Sequence, residues 1–310
     1  MKTKMRKFQI LFVAISIATV FASCSKDDDK DMTESKNIVQ TASSDPQFSM
    51  LTAALTKAGL LSALEGEGPF TVFAPTNDAF NELFSQLGIE GLDDLSAETL
   101  KPILLNHVVS GNIKAADITT GYVSTLNNTA PDQNQVKVFV QKSGTVTVDG
   151  SQVITADVMA SNGVIHAINK VILPASVVSH AINNPGFSIL VEAVVKAGLV
   201  EALSATGPFT VFAPTNDAFT ALFAVLGVSG ISDLTAEQLT PILLYHVVPG
   251  NVLASQVTTG NVPTLKEGST ISIMVDGMGV KLNTNSNVIA TDVQGSNGVI
   301  HAIDAVILPQ

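Results

Sequence analysis

The sequence predicts an α+β protein built from two tandem repeats, each with helices followed by an antiparallel sheet. A thirteen-residue segment, Gly68 to Phe80, recurs letter for letter as Gly207 to Phe219. In each repeat, apolar residues first recur with a period near 3.6 and later alternate with period 2, the patterns of helices and strands. Helices first and strands afterwards, without a strand–helix–strand rhythm, favour α+β over a parallel α/β fold.

The repeated segment predicts a buried strand over 70–73, a proline turn and a helix. Thr76 and its copy Thr215 are placed to cap the helix, because a threonine hydroxyl can accept from the free N–H groups of the first turn. Asp78 and Asp217 put negative charge near the positive end of the helix dipole. An apolar stripe for one buried face follows, comprising Phe80, Leu83, Phe84 and Leu87 and their copies Phe219, Leu222, Phe223 and Leu226.

Further helices are predicted on either side of this segment. Asp45-Pro46, like its counterpart in the second repeat, places an N-cap residue before a proline at the first helical position. A helix is also predicted over 96–109 and again over 235–248. The proline inside each span predicts a kink or a fresh helical start.

The later half of each repeat is predicted to form strands. The alternating, β-branched stretches lie over 136–140, 145–148 and 271–275, and closing strands are expected over 164–174 and 299–309. Hairpin turns are expected at four Asp-Gly or Asn-Gly pairs, which are Asp149-Gly150, Asn162-Gly163, Asp276-Gly277 and Asn297-Gly298.

Residues 1–23 have the pattern of an export signal. Four basic residues precede an uncharged, mostly apolar run, which is short for a membrane span of ~20 residues. Cys24, the one cysteine of the chain, follows. The stretch resembles a bacterial lipoprotein signal, which implies that Cys24 is lipidated and anchors the chain through its acyl chains. An ordinary secretory signal and an uncleaved anchor are the alternatives.

Charge limits the partners of the chain. Residues 1–23 hold four of the 16 Lys and Arg and none of the 27 Asp and Glu, so the remaining chain carries a net charge of −15. Nucleic acid and anionic membrane surfaces are therefore not expected partners. Residues 24–35 form an acidic tether similar to the surface-export signal of Bacteroidetes lipoproteins. This similarity implies an outer-membrane lipoprotein displayed at the cell surface, with the periplasmic face as the alternative.

Two signature stretches in each repeat resemble the fasciclin domain. One spans 71–80, and the other spans 161–174 and reads Ser-Asn-Gly-Val-Ile-His-Ala-Ile-Asn-Lys-Val-Ile-Leu-Pro; both return in the second repeat. The resemblance implies two tandem domains, 36–174 and 175–310, each a wedge-like antiparallel β-sandwich with packed helices. Members of the family are extracellular adhesion modules that bind proteins, matrix or glycans, and they are not generally enzymes.

The resemblance also implies a ligand-binding motif. Tyr245 and His246 stand where the family has its Tyr-His pair, whereas the first repeat has Asn106 before His107. We expect Tyr245→Ala to weaken ligand binding through the second domain while leaving its fold intact.

The histidines also have a structural interpretation. His107 and His246 lie on the apolar face of their predicted helices, which is typical of core histidines with hydrogen-bonded nitrogens. His166 and His301 follow turns within strands, and the same role is expected for them. His180 has no counterpart in the first repeat and is expected at the surface.

The sequence offers no catalytic motif and no closely spaced metal ligands, so no catalytic residue, cofactor or metal is predicted. Three functions remain. The first is a surface adhesion module that binds a protein or matrix ligand. The second is a glycan-binding or uptake accessory lipoprotein, which would show saturable binding on a glycan array. The third is a passive structural lipoprotein of the envelope, which would have no soluble ligand.

Overall fold

The computed structural model describes residues 35–277 and 279–309. The predicted signal, Cys24 and nearly all of the predicted tether lie outside the described residues. The first repeat contains helices α1 (Ile38–Ser43), α2 (Ser49–Lys57), α3 (Leu61–Leu64), α4 (Asn77–Leu87) and α5 (Ala97–Leu105). Its strands are β1 (Phe70–Pro75), β2 (Val108–Ser110), β3 (Gly121–Ser124), β4 (Lys137–Ser143), β5 (Thr145–Val148), β6 (Ser151–Ala160) and β7 (Gly163–Ile168).

The second repeat has the same order of elements. Its helices are α6 (Val177–Asn183), α7 (Ser188–Lys196), α8 (Val200–Ser204), α9 (Asn216–Leu226) and α10 (Ala236–Tyr245). Its strands are β8 (Phe209–Pro214), β9 (Val247–Pro249), β10 (Gly260–Pro263), β11 (Thr270–Asp276), β12 (Gly279–Leu282), β13 (Ser286–Gly295) and β14 (Gly298–Ile303). The predicted α+β class with two tandem units is confirmed.

Each repeat forms a sheet of seven strands. The first has the order β2-β1-β7-β6-β5-β4-β3, and the second repeats it as β9-β8-β14-β13-β12-β11-β10. The sheets differ from a purely antiparallel arrangement at one pair each, because β7 runs parallel to β1 and β14 runs parallel to β8. Parallel neighbours need a long connection, and residues 76–162 lie between β1 and β7.

The sheet of the first repeat curls until its outer strands share one interior. Val109 of β2 and Val138 of β4 belong to the same buried cluster, although four strands separate them in the sheet order. A second cluster lies between the helices and the other face, where Phe80 and Leu100 are almost fully buried. The helices therefore cover the outside of a strongly curved sheet.

The helix after the repeated segment begins as expected, and its apolar stripe is shorter. Thr76 accepts a hydrogen bond from the N–H of Ala79 at 3.4 Å, and Gly88 ends α4 in the left-handed conformation. Leu87 is 49% exposed, and Leu226 of α9 is 47% exposed. The last residue of the predicted stripe thus lies beyond the core in both repeats.

The helix predicted over 96–109 is too long. Helix α5 ends at Leu105, and the apolar residues that follow form strand β2; α10 and β9 repeat this change. Pro102 lies inside a continuous α5, so the alternative of a fresh helical start is wrong, and the kink stays a prediction. The six-residue α1 was not predicted, because so short a helix shows little periodicity.

The two repeats contact each other through α6, which packs against β4 of the first sheet and β13 of the second. The Tyr122 ring of β3 meets the His180 ring of α6 edge to face, with 5.5 Å between ring centroids. Asn184 donates a hydrogen bond to the Tyr122 hydroxyl at 3.1 Å. Within the described ranges, no helix is both long enough and apolar enough to cross a membrane.

Candidate functional site: the buried Tyr-His motif and an apolar groove

His246 connects the end of α10 to the last segment of the chain. Its Nδ1 donates to the carbonyl of Ile242 at 2.8 Å, and its Nε2 accepts from the N–H of Ile307 at 3.1 Å. His107 makes the matching bonds to Ile103 and Ile172. Burial lowers the pKa of both imidazoles to about 4, which keeps them neutral near pH 7.

Tyr245 lies in the interior of the second sheet. Its side chain is 1% exposed, its hydroxyl donates to the carbonyl of Thr270 at 2.8 Å, and it accepts from Asn283 at 3.2 Å. The first repeat fills this position with Asn106, which is also fully buried. Ligand binding by Tyr245 and His246 stays a prediction, but the expectation that Tyr245→Ala would spare the fold is wrong for so buried a ring.

We expect Tyr245→Phe to lower the free energy of unfolding by about 1–2 kcal/mol, because it removes the hydrogen bonds of a buried hydroxyl to the Thr270 carbonyl and the Asn283 amide. Tyr245→Ala should cost about 3–5 kcal/mol through the cavity it leaves. Urea denaturation of the two variants measures both effects. Ile289→Ala, at a position 57% exposed, is the control and should change stability by less than about 0.5 kcal/mol. Equal losses of stability for substitutions at Tyr245 and Ile289 would contradict the structural role of the buried Tyr245 ring.

His166 and His301 fix loops onto the closing strands. The Nε2 of His166 donates to the carbonyl of Ile113 at 2.9 Å, and the Nε2 of His301 donates to that of Val252 at 2.8 Å. Both Nδ1 atoms face a backbone N–H, from Asp157 and Asp292 respectively. In the described part of the chain, no group of three or more His, Cys, Asp or Glu could hold a metal ion.

Asn162 forms a polar clamp that sequence reasoning missed. Its Oδ1 accepts from the N–H of Ile38 at 2.9 Å, and its Nδ2 donates to the carbonyls of Leu64 and Gly66 at 2.8 Å each. These three bonds join the turn before β7 to the start of α1 and the end of α3. Asn297 repeats the clamp in the second domain.

The contact between the repeats contains buried titratable groups. His180, expected at the surface, is fully buried, because α6 is covered by strands of both repeats. Burial lowers its pKa to about 4. Burial also raises the pKa of the Asp149 carboxyl to about 7, although the N–H of Phe139 donates to its Oδ1. Among the described residues, the His180 Nδ1 has no hydrogen-bond partner.

An apolar groove, here called the domain-2 groove, lies between α6, α7, α8 and strand β8. It reaches from exposed side chains, among them Ile182 and Val195, down to Phe212 and the His246 ring. Its lining is apolar apart from His246, whose two nitrogens are already hydrogen-bonded. The motif histidine thus faces a space that can accept only apolar groups.

Comparison with known proteins places both repeats in one family. The Fasciclin domain profile matches residues 46–174 and 185–309. Protein sll1483 of a Synechocystis species is 52% identical over 134 residues, which cover 43% of this chain and 73% of that protein. Human periostin is 31% identical over 255 residues, which cover 81% of this chain and 29% of periostin.

A further relative and a solved domain pair match both repeats. Porcine transforming growth factor-beta-induced protein ig-h3 is 29% identical over 251 residues, which cover 79% of this chain and 35% of that protein. A solved FAS1 domain pair from the insect cell adhesion molecule fasciclin I covers 87% of this chain and 95% of that one, at 20% identity and a TM-score of 0.47. The profile matches span most of the sequence, and the chain belongs to the Fasciclin domain family, with two such domains in tandem.

Proposed function

We propose that the chain is a lipoprotein of the bacterial cell surface that acts as an adhesion module, binding a protein or matrix ligand through its two fasciclin domains. The observation that carries this proposal is the tandem pair of fasciclin domains, a family whose members are extracellular adhesion modules. Linking two modules raises the strength of attachment when both can engage one surface.

The N-terminal sequence supports the anchored part of this proposal. A basic stretch, an apolar run and Cys24 occur in the order that a lipoprotein signal requires, and an acidic tether follows.

We expect an antibody against the second domain to label intact cells that carry the chain as strongly as permeabilised cells. Cys24→Ser should move the protein from the membrane fraction to the soluble fraction, because the lipid-bearing thiol is removed. Ser25→Ala, next to it, is the matched control and should leave the protein in the membrane fraction.

Adhesion is tested on the same cells. Deletion of the protein should reduce attachment to matrix-coated surfaces or to neighbouring cells, and the unaltered chain should restore it. Labelling only after permeabilisation would contradict surface display. Labelled cells whose attachment does not change on deletion would contradict the adhesion role.

A further inference from the structure

The two domains supply an internal comparison for the domain-2 groove, because equivalent residues are 139 positions apart in this part of the fold. At three positions that line the groove, two of them in the core, the second domain carries a side chain one methylene shorter. These pairs are Ile38 and Val177, Leu55 and Val194, and Leu61 and Val200. Shortening core side chains leaves space unless the surroundings collapse.

At the rim of the groove, the second domain carries apolar side chains where the first domain carries polar ones. The equivalent pairs are Ser43 and Ile182, Thr52 and Val191, and Thr56 and Val195. Ile182 is 59% exposed and Val195 is 60% exposed. Stability of the fold does not require these apolar side chains at the surface, since the first domain has the same helices with polar residues there.

The size of the groove restricts what can enter it. Its cavity volume is about 50 Å³, whereas an engineered cavity of about 150 Å³ holds one benzene molecule. One aliphatic side chain fits such a space, and a lipid acyl chain does not. The exposed apolar rim can then cover the neighbouring turns of the inserted segment.

The charged side chains around the groove favour a positively charged partner. Glu192 of α7 and Glu201 of α8 are exposed beside the apolar rim. Lys196 is turned away, because its ammonium group donates to the carbonyls of Ile231 and Ser232 at 2.9 and 2.8 Å. The whole chain carries a formal charge of −11, so a second copy would be repelled. Basic residues flanking the inserted side chain would be attracted.

We propose that the domain-2 groove is the docking site for a cationic amphipathic segment of a partner protein, which inserts one aliphatic side chain between α6, α7 and α8. The inference rests on the proposed protein-binding function and gives it a site and a partner chemistry. The segment uses the binding mode in which apolar anchors at helical spacing enter a groove.

The test uses the full chain and a fluorescently labelled amphipathic peptide of leucine and lysine, with binding followed by fluorescence anisotropy. The double variant Ile182→Ser with Val195→Thr gives the rim the residues of the first domain. It should weaken binding at least tenfold, since two apolar contacts are lost. The double variant Val177→Ile with Val194→Leu enlarges two buried side chains, fills the interior and should weaken binding to a similar extent.

A matched control separates the groove from general surface hydrophobicity. Val225→Gln also introduces the first domain's residue, at an exposed apolar position of α9 that does not line the groove. The affinity of the Val225→Gln variant for the Leu/Lys peptide should stay within twofold of that of the unaltered chain. All variants carry residues that the first domain already accommodates, and urea denaturation verifies that each is folded.

Several outcomes would overturn the proposal. Rim variants that bind the Leu/Lys peptide as tightly as the unaltered chain exclude this groove. Equal binding of a Leu/Glu peptide excludes the charge argument. A dimer in sedimentation that the rim variant dissociates identifies a second copy as the occupant, and rim-dependent binding to phosphatidylcholine vesicles identifies a lipid surface.

Failure of the site and failure of the function are distinguishable. If cells that express the rim variant attach as well as cells with the unaltered chain, the groove is wrong and the adhesion role stands. If deletion of the whole protein leaves attachment unchanged, the adhesion role is wrong, whatever the peptide does.

Discussion

Replacing Gly298 with alanine is expected to unfold the second fasciclin domain. A Cβ atom at Gly298 would overlap the carbonyl oxygen of Phe209, the residue that pairs with it in the parallel β8–β14 ladder. Neither backbone can move without opening this ladder, and the φ of +155° is one that L side chains rarely adopt. We expect a loss of about 4 kcal/mol or more, in the range that only severe core disruptions reach.

The control for this prediction is Gly227→Ala. Gly227 also has a positive φ, of 69°, but nothing lies within 4 Å of a Cβ placed there. It should therefore cost only the ~1–2 kcal/mol of a left-handed non-glycine residue. Urea denaturation with limited proteolysis of each domain measures the two effects. A similar cost for both substitutions would contradict the close approach of β8 and β14.

Acid is expected to destabilise the protein steeply below pH 6.5. His107, His180 and His246 have folded pKa values of about 4 against 6.5 in the unfolded chain. A lowered histidine pKa contributes stability that is fully present above pH 6.5 and is lost as the pH falls towards 4. Each of the three contributes about 3 kcal/mol at full effect. The folded state would therefore be lost at a pH where exposed carboxylates are still ionised.

Ionisation of the buried Asp149 carboxyl has the opposite effect on stability: it lowers stability as the pH rises. Its pKa is raised from 3.8 to about 7, so its contribution is fully present below pH 3.8 and is lost as the pH rises through 7. Three histidines outweigh one carboxyl between pH 4 and 6.5, so stability should rise steeply over this range and level off above about pH 7. Urea midpoints at pH 4.5, 5.5, 6.5 and 8 test this rise; a flat profile would contradict the burial of these groups.

The Asp149→Asn variant tests how the ionisation of this carboxyl affects stability. The amide keeps an oxygen that can accept from Phe139 and removes the charge, so the variant should be more stable than the unaltered chain by a few kcal/mol at pH 8 and by less at pH 5. Asp117→Asn, at an exposed position, is the control and should show no such pH dependence. An equal gain for Asp149→Asn at both pH values would show that its ionisation is not the cause.

Local features of the fold could be predicted from the sequence, and long-range ones could not. The cap at Thr76 and the start of α4 depend on residues within one turn, and the pattern shows them directly. Asn77 lies in the same segment, yet its side chain binds the N–H of Met50 and the carbonyl of Pro46, about thirty residues earlier. No periodicity encodes such a contact.

The same distinction explains the errors at the candidate site. The parallel pairing of β7 with β1 joins strands that lie far apart in the sequence, so the sequence showed two strands and not their direction. His180 was expected at the surface because it has no counterpart in the first repeat; strands of both repeats pack against α6 and bury it. Tyr245 was assigned to ligand binding because of the family resemblance. In the structure its hydroxyl is hydrogen-bonded to Thr270 and Asn283, which lie far along the chain.

The placement of the closing strand has a mechanical consequence. The chain enters the first domain beside the turn that precedes β7, where the N–H of Ser161 binds the carbonyl of Lys36, and it leaves beyond the far end of that strand. Ser296 and Ala175 repeat this arrangement in the second domain. Tension between the two ends of a domain thus runs along a strand held on both sides. The hydrogen bonds that join this strand to its two neighbours would be loaded in shear and would resist together, which suits a domain that is pulled between its two ends.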